Sequence, residues 1–119
     1  IIVGEGSDIG YVSDQDLVNY FAAAAVFVYP SLYEGFGLPI LEAFHYHVPV
    51  AAANTSSLPE VAGNAAALFD PLSVESIAAG IAQALKDRDK LIPAGTKQLS
   101  KFSWETTAGE TLKVYKSLV

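Results

Sequence analysis

The stretch YPSLYEGFGLPILEA, residues 29–43, joins a strand pattern to a helix pattern through a loop that contains two glycines. The segment VFVY at 26–29 is β-branched and aromatic, which is typical of a buried strand, and Pro30 ends it. Pro39 suits the first turn of a helix. The stretch therefore predicts a strand, a glycine-containing loop and a helix, in that order.

The same alternation continues on both sides of this stretch. Strands are predicted at 1–3, 48–52 and 66–69. Helices are predicted after Ser13 and Ser73, because serine is a preferred N-cap residue. Alternating strands and helices of this length favour a parallel sheet. We predict a single α/β domain over residues 1–119, with a Rossmann-like parallel sheet and helices on both of its faces.

Four residues outside the loop carry local predictions. His47 is expected to end the preceding helix, because histidine tolerates a positive φ better than most residues. Pro93 is expected to interrupt a weak helix over 87–100. Trp104 begins the apolar stripe of the last helix and is expected to lie in the core. Glu60 is either a helix-start charge or part of a ligand pocket.

Composition and charge exclude several classes of function. The net charge is −6, cysteine is absent, and all seven lysines and arginines lie at or after Lys86, whereas nine carboxylates lie in residues 1–85. Disulfides and thiolate metal sites are excluded, and nucleic-acid binding is rejected because the first 85 residues offer no cation to a phosphate. The sequence predicts a cytoplasmic setting and leaves peripheral association with the inner membrane face open.

The loop between strand and helix is the candidate ligand site. In open α/β sheets, ligands bind where strands end and helices begin. Gly35 and Gly37 let a ligand approach the backbone N–H groups, and the helix N-terminus favours a phosphate. Glu34 lies in the loop, and Glu42 is expected in the first helical turn, facing back toward it. Two carboxylates that border one pocket suit the hydroxyls of a ribose or a pyranose.

The string EGFGLPILEA at 34–43 resembles the signature of retaining GT-B glycosyltransferases, family four in particular. The similarity extends over residues 11–118 and includes five further landmarks: VFVYPS at 26–31, VPVA at 48–51, LPEV at 58–61, LFDP at 68–71 and FSW at 102–104. The resemblance implies that the chain is part of the C-terminal, donor-binding domain of a GT-B fold.

The resemblance also implies a role for each site residue. Glu34 would act in catalysis by hydrogen-bonding the donor sugar and orienting its anomeric carbon, and Glu42 would bind the nucleotide ribose. Backbone amides of four consecutive residues would face the diphosphate and the sugar: Gly35, Phe36, Gly37 and Leu38. Gly4 and Gly6 resemble the glycine loop near the diphosphate or base.

Further implications concern the partners and the reaction. The donor substrate would be a nucleotide-diphosphate-sugar, the acceptor is unknown, and no metal or other cofactor is expected. The leaving phosphate would help to deprotonate the acceptor on the front face. The family places an Arg and a Lys upstream to neutralise the diphosphate, whereas no cation precedes Lys86 here. We therefore expect an incomplete module that lacks the N-terminal acceptor domain, is inactive alone, and docks its last helix on that domain.

Three alternatives compete with this interpretation. A non-catalytic module could bind a nucleotide-sugar or only pack against a partner domain. A glycosidase could use Glu34 and Glu42 as paired carboxylates, but it needs one carboxyl group with a raised pKa, which a helix N-terminus opposes. The third alternative is a receiver-like or flavodoxin-like α/β domain. Receivers need a cluster of acidic residues at a strand end and a later lysine, and no lysine precedes Lys86.

Overall fold

The computed structural model describes residues 9–118 of the chain. Within this range the chain forms six helices and three strands. In chain order they are α1 Asp14–Ala23, β1 Phe27–Tyr29, α2 Leu38–His45, β2 Val50–Ala53, α3 Leu58–Ala62, β3 Ala66–Phe69, α4 Val74–Lys86, α5 Arg88–Leu99 and α6 Trp104–Ser117. The strand predicted at 1–3 lies outside the described residues.

The three strands form a parallel sheet in the order β1-β2-β3. The central strand pairs Val50 with Phe27 on one side and with Ala66 on the other. All four residues of β2 have 0% exposure. Because successive side chains point to opposite faces of a sheet, complete burial shows that both faces of β2 are covered. The α/β prediction is confirmed, with a parallel sheet enclosed between layers.

Two helical glycines let the covering layer approach closely. A Cβ added at Gly80 of α4 would lie 2.7 Å from Cδ1 of Phe69, and one added at Gly95 of α5 would lie 2.6 Å from Cδ1 of Phe44. Both phenylalanines are 2% exposed. The rings of Phe69 and Phe44 therefore occupy the space that a larger residue would need, which sets how near α4 and α5 lie to the layers beneath them.

The end of α2 confirms the prediction for His47. His47 has φ 57°, its N–H donates to the carbonyl of Phe44 at 3.1 Å, and the N–H of Val48 donates to Ala43 at 2.9 Å. This pair of bonds is the Schellman motif, in which the residue just beyond the helix takes the left-handed conformation. The motif turns the chain sharply from α2 into β2.

Two predictions in the C-terminal part are wrong. Pro93 does not interrupt a helix, because α5 continues through it from Arg88 to Leu99. Pro93 itself is exposed, while Gly95 on the same helix packs against the buried ring of Phe44. Packing of this kind outweighs the loss of one helical hydrogen bond.

Trp104 is not a core residue, since it is 75% exposed, and no residue of α6 is buried. The apolar stripe exists as predicted, but within residues 9–118 it has no layer to pack against. Leu112, Tyr115 and Leu118 on the same helix are 51%, 65% and 78% exposed. Periodicity predicted the helix correctly, and burial depends on a surface that the described residues do not provide.

Candidate functional site

The carboxyl ends of all three strands lie at one edge of the sheet, as parallel pairing requires. Three loops leave this edge: 30–37 after β1, 54–57 after β2 and 70–73 after β3. The N–H of Asn54 donates to the carbonyl of Phe69 at 2.8 Å, which joins the second loop to the end of β3. The strand ends thus place the predicted site loop beside a second, polar loop.

Gly37 is the N-cap of α2 and needs to be glycine for two reasons. It has φ 106° and ψ 40°, a conformation that side chains rarely adopt. A Cβ at this position would also lie 2.7 Å from Cδ2 of Leu58, which has 0% exposure. Its carbonyl accepts the N–H of Ile40 at 3.0 Å, which begins the helix.

Gly35 differs from Gly37 in both respects. It is exposed, its φ is not positive, and a Cβ built on it would meet no atom within 4 Å. Nothing in the fold of residues 9–118 therefore requires a glycine at this position. A close approach of a ligand to the backbone is a physical reason for the absence of a side chain there.

Three hydroxyl side chains of the loop after β2 form hydrogen bonds to the backbone of the site loop. No role was predicted for them from the sequence. Ser56 Oγ accepts the N–H of Glu34 at 3.0 Å. Ser57 Oγ lies 3.0 Å from the carbonyl of Glu34 and 2.8 Å from that of Phe36, to which it donates. Thr55 Oγ1 donates to the carbonyl of Ser31 at 3.1 Å. We call Thr55, Ser56 and Ser57 the hydroxyl clamp.

Glu34 is half-buried and hydrogen-bonded through its side chain as well as its backbone. The hydroxyl of Tyr29, the last residue of β1, donates to Glu34 Oε1 at 2.6 Å. The ring of Tyr29 stacks on Phe27 with centroids 5.6 Å apart. The hydrogen bond from Tyr29 fixes the position of Oε1 of the Glu34 carboxylate. The other oxygen, Oε2, makes no hydrogen bond within residues 9–118.

Glu42 lies in α2, but not where the sequence prediction put it. The helix begins at Leu38, so Glu42 is its fifth residue and the first turn contains no acidic residue. A helix macrodipole acts mainly within the first turn. The expected interaction of Glu42 with the helix N-terminus is therefore wrong. The objection to a glycosidase, which relied on that interaction, no longer applies to Glu42.

The two carboxylates nevertheless act on one group. Burial, the hydrogen bond to Glu34 and the negative charges of Glu34 and Glu42 together raise the pKa of the Tyr29 hydroxyl above its usual range. A negative charge near the hydroxyl opposes formation of the phenolate. The negative charges of both glutamates thus act in the same direction on the Tyr29 hydroxyl.

The remaining predicted residues line a groove beside this edge. Phe36, Leu38 and Glu42 form one wall of a mainly apolar groove of about 880 Å³, and residues of α1 and the start of α6 form the others. Phe36 meets Phe102 edge to face at 5.8 Å. Glu34, Gly35 and Gly37 do not line the groove, so the predicted site is divided between the loop and the groove mouth.

Glu60 lies apart from both carboxylates. It occupies the first turn of α3 and borders a polar depression of about 440 Å³ with Lys97 and Lys101. The depression is built around Gln98, whose Nε2 donates to the carbonyl of Val61 at 3.0 Å and so satisfies the end of α3. This position favours the helix-start interpretation of Glu60 over a place in the ligand pocket.

Two predicted donor residues, Gly4 and Gly6, lie outside the described residues. Within residues 9–118, no group of three or more His, Asp and Glu side chains is placed to hold a metal ion. The helices in the same range are all too short or too polar to cross a membrane.

Comparisons with known proteins show which proteins this chain resembles. Residues 8–98 match the family model described as glycosyl transferases group 1. The O-antigen chain mannosyltransferase B of Escherichia coli is 50% identical over 113 residues, which cover 92% of this chain and 30% of that protein. The serotype-specific mannosyltransferase WbdA of Escherichia coli is 37% identical over 92% of this chain and 14% of its own length.

A solved structure extends the similarity to the fold. The sucrose-phosphate synthase of Thermosynechococcus elongatus superposes with a TM-score of 0.74 at 29% identity, covering 92% of this chain and 29% of that one. The chain thus spans less than a third of the length of these three relatives. Its parallel sheet with flanking helices is part of a GT-B glycosyltransferase domain. With the family model covering residues 8–98, this chain belongs to the glycosyl transferases group 1 family.

Proposed function

We propose that this chain forms the donor-binding part of a retaining glycosyltransferase. The enzyme transfers mannose from a nucleoside-diphosphate-mannose to an acceptor and releases the nucleoside diphosphate. The observation that carries the proposal is the edge of the sheet at β1. There, a glycine loop leads into α2, which carries Glu42, and the Tyr29 hydroxyl is hydrogen-bonded to Glu34. The choice of mannose follows the two relatives, both of which are named mannosyltransferases.

The residues of the loop take distinct roles in this proposal. The diphosphate lies against the backbone N–H groups of 35–38, where the start of α2 supplies a partial positive charge. The open space beside Gly35 admits it without a side chain in the way. Glu34 accepts hydrogen bonds from the sugar hydroxyls, and Glu42 at the groove mouth accepts them from the ribose.

Charge balance requires a contribution from outside residues 9–85. That segment contains seven carboxylates and no Lys or Arg. A diphosphate beside Glu34 and Glu42 would meet like charge at close range, which is unfavourable. We propose that cations from another part of the polypeptide neutralise it, that no metal does so, and that the leaving phosphate accepts the proton of the acceptor hydroxyl on the same face of the sugar.

The exposed stripe of α6 fits the same picture. Trp104 and Leu118, at its two ends, are 75% and 78% exposed. We propose that this stripe packs on the acceptor-binding domain in the full-length protein, in a cytoplasmic setting. Hydrogen exchange on the full-length protein tests the packing. Protected amides along α6 support it, and amides that exchange as fast as an unfolded peptide contradict it.

The non-catalytic alternative makes a different prediction for the same residues. A module that only binds a nucleotide-sugar holds the donor without breaking the bond to its leaving phosphate, and one that only packs against a partner binds no donor. A thermal-shift panel of GDP-, UDP- and ADP-mannose on the full-length protein separates these. A donor present at 100 times its Kd stabilises the folded state by about 2.7 kcal/mol.

Product analysis then tests catalysis and its stereochemistry. We expect one of the three donors to stabilise the protein and, with an acceptor, to give a product that keeps the anomeric configuration of the donor. Glu34→Gln and Glu42→Gln should each lower transfer by orders of magnitude without a change in fold. An inverted product contradicts retention, and full activity in both variants contradicts the roles of the two carboxylates.

A further inference from the structure

Glu34 is held by the fold at more points than its neighbours in the loop. Its N–H is bonded to Ser56 Oγ at 3.0 Å, its carbonyl lies 3.0 Å from Ser57 Oγ, and its Oε1 is bonded to the Tyr29 hydroxyl at 2.6 Å. The hydroxyl clamp fixes the backbone of Glu34. Only the side-chain torsions remain to be set, and within residues 9–118 Tyr29 makes the one hydrogen bond to the Glu34 carboxylate.

The Tyr29 hydroxyl is itself well placed to do this. Tyr29 is the last residue of β1 and pairs with Ala52 of the fully buried β2. Its ring stacks on Phe27, and the ring of Phe27 lies 5.4 Å from that of Phe21, which is 6% exposed. The hydroxyl is thus carried by a strand and by an aromatic row, and not by the loop that it restrains.

The geometry divides the carboxylate into two unequal oxygens. Oε1 receives the Tyr29 hydroxyl at a short, charge-assisted distance. Oε2 makes no hydrogen bond within the described part of the chain, so its lone pairs are available to a sugar hydroxyl. A carboxylate fixed in this way loses less rotational freedom when it binds, which is the advantage of a preorganised site.

We propose that Tyr29 is a positioning residue of this glycosyltransferase, whose hydroxyl holds Glu34 so that the second carboxylate oxygen accepts a hydroxyl of the donor sugar. The inference rests on the proposed function, since it assumes that Glu34 binds the donor. It goes beyond that function by assigning a role to the residue before Pro30. Tyr29 does not itself touch the sugar and acts only through Glu34.

The test is a double-mutant cycle on the full-length enzyme. Its readouts are steady-state transfer kinetics and titration calorimetry with whichever of GDP-, UDP- and ADP-mannose stabilises the wild type. Tyr29→Phe keeps the ring and its stacking on Phe27 and removes only the hydroxyl. Loss of a hydrogen bond to a charged group should weaken donor affinity, and with it kcat/KM, roughly 10- to 100-fold. In a Glu34→Ala background, the same Tyr29 substitution should leave the donor affinity unchanged, because the hydroxyl has no carboxylate to hold.

Tyr20→Phe is the matched control. Tyr20 is a half-buried tyrosine of α1 whose hydroxyl makes no hydrogen bond within residues 9–118. It should keep wild-type kinetics. Equal losses from Tyr29→Phe in the wild-type and Glu34→Ala backgrounds would show a purely structural role and overturn the proposal. Wild-type kinetics in Tyr29→Phe would also overturn the role proposed for Tyr29 but would leave the proposed function intact. A wild-type enzyme that binds no GDP-, UDP- or ADP-mannose would overturn both proposals.

Discussion

Substitution of the two glycines of the site loop tests the proposed site. The fold requires a glycine at Gly37, whereas at Gly35 only the proposed ligand does. Gly37→Ala places a methyl group at φ 106° and 2.7 Å from Cδ2 of Leu58, which is fully buried and cannot move aside freely. A strained backbone of this kind costs about 1–3 kcal/mol, and overpacking a core residue adds about 1–3 kcal/mol. We therefore expect a loss of roughly 2–6 kcal/mol in the free energy of unfolding.

Gly35→Ala is the counterpart in the same loop. Its new methyl group meets no atom within 4 Å. We expect the stability to stay within about 0.5 kcal/mol of wild type, as for other surface changes. Donor affinity should fall at least about tenfold, since the methyl group would occupy the space proposed for the diphosphate, and a 1.4 kcal/mol loss has that effect.

Thermal denaturation of the full-length protein, with and without nucleoside-diphosphate-mannose, measures both quantities in one experiment. Gly37→Ala should melt well below wild type even without donor. Without donor, Gly35→Ala should melt at the same temperature as wild type, and its donor-dependent stabilisation should be clearly smaller. A Gly37→Ala variant as stable as wild type would refute the packing argument, and a Gly35→Ala variant that keeps its donor shift would refute the role of the loop.

Three further predictions concern stability. Gly95→Ala should destabilise the fold by about 1–3 kcal/mol, because its Cβ would lie 2.6 Å from Cδ1 of Phe44. Gly109→Ala meets no atom within 4 Å and should stabilise the fold by about 0.5–1 kcal/mol. Denaturant unfolding that ranks the two variants in the reverse order would contradict the packing of α5. His47→Gly should stabilise by about 1 kcal/mol, because the residue has φ 57° at the end of α2, and a lower melting temperature would argue against that conformation. The raised pKa of Tyr29 contributes stability that is fully present below its ordinary value of 10.0 and is lost as the pH rises above that value. Between pH 9 and 11, wild type should therefore lose stability more steeply than Tyr29→Phe. Parallel curves would count against the half-buried hydrogen bond between Tyr29 and Glu34.

Local features of the fold followed from the sequence because short-range chemistry determines them. Residues close in sequence determine three of these features: the strand before Pro30, the helix that begins near Pro39 and the turn at His47. The parallel arrangement followed from the alternation of strands and helices. In contrast, Pro93 inside α5 and Trp104 in solvent depend on which surfaces meet, and tertiary packing decides that independently of local propensity.

The site was predicted in part. The loop, its glycines and Glu34 lie where the sequence put them, at the carboxyl edge of the sheet. Glu42 was expected in the first turn of α2 and is its fifth residue, because helix starts are uncertain by one or two residues. The hydroxyl clamp was missed, since contacts across more than twenty residues require the register of β1 and β2. Its signal in the sequence is a run of hydroxyl residues at 55–57, directly after a buried strand.

The most direct test of the donor-binding assignment is a crystal structure of the full-length protein with nucleoside-diphosphate-mannose bound. The account predicts diphosphate oxygens within hydrogen-bonding distance of backbone N–H groups at 35–38. It also predicts a mannose hydroxyl on Glu34 Oε2, with Oε1 still bonded to Tyr29. A donor bound elsewhere, with the loop at 35–38 and Glu34 out of contact with it, would contradict the account.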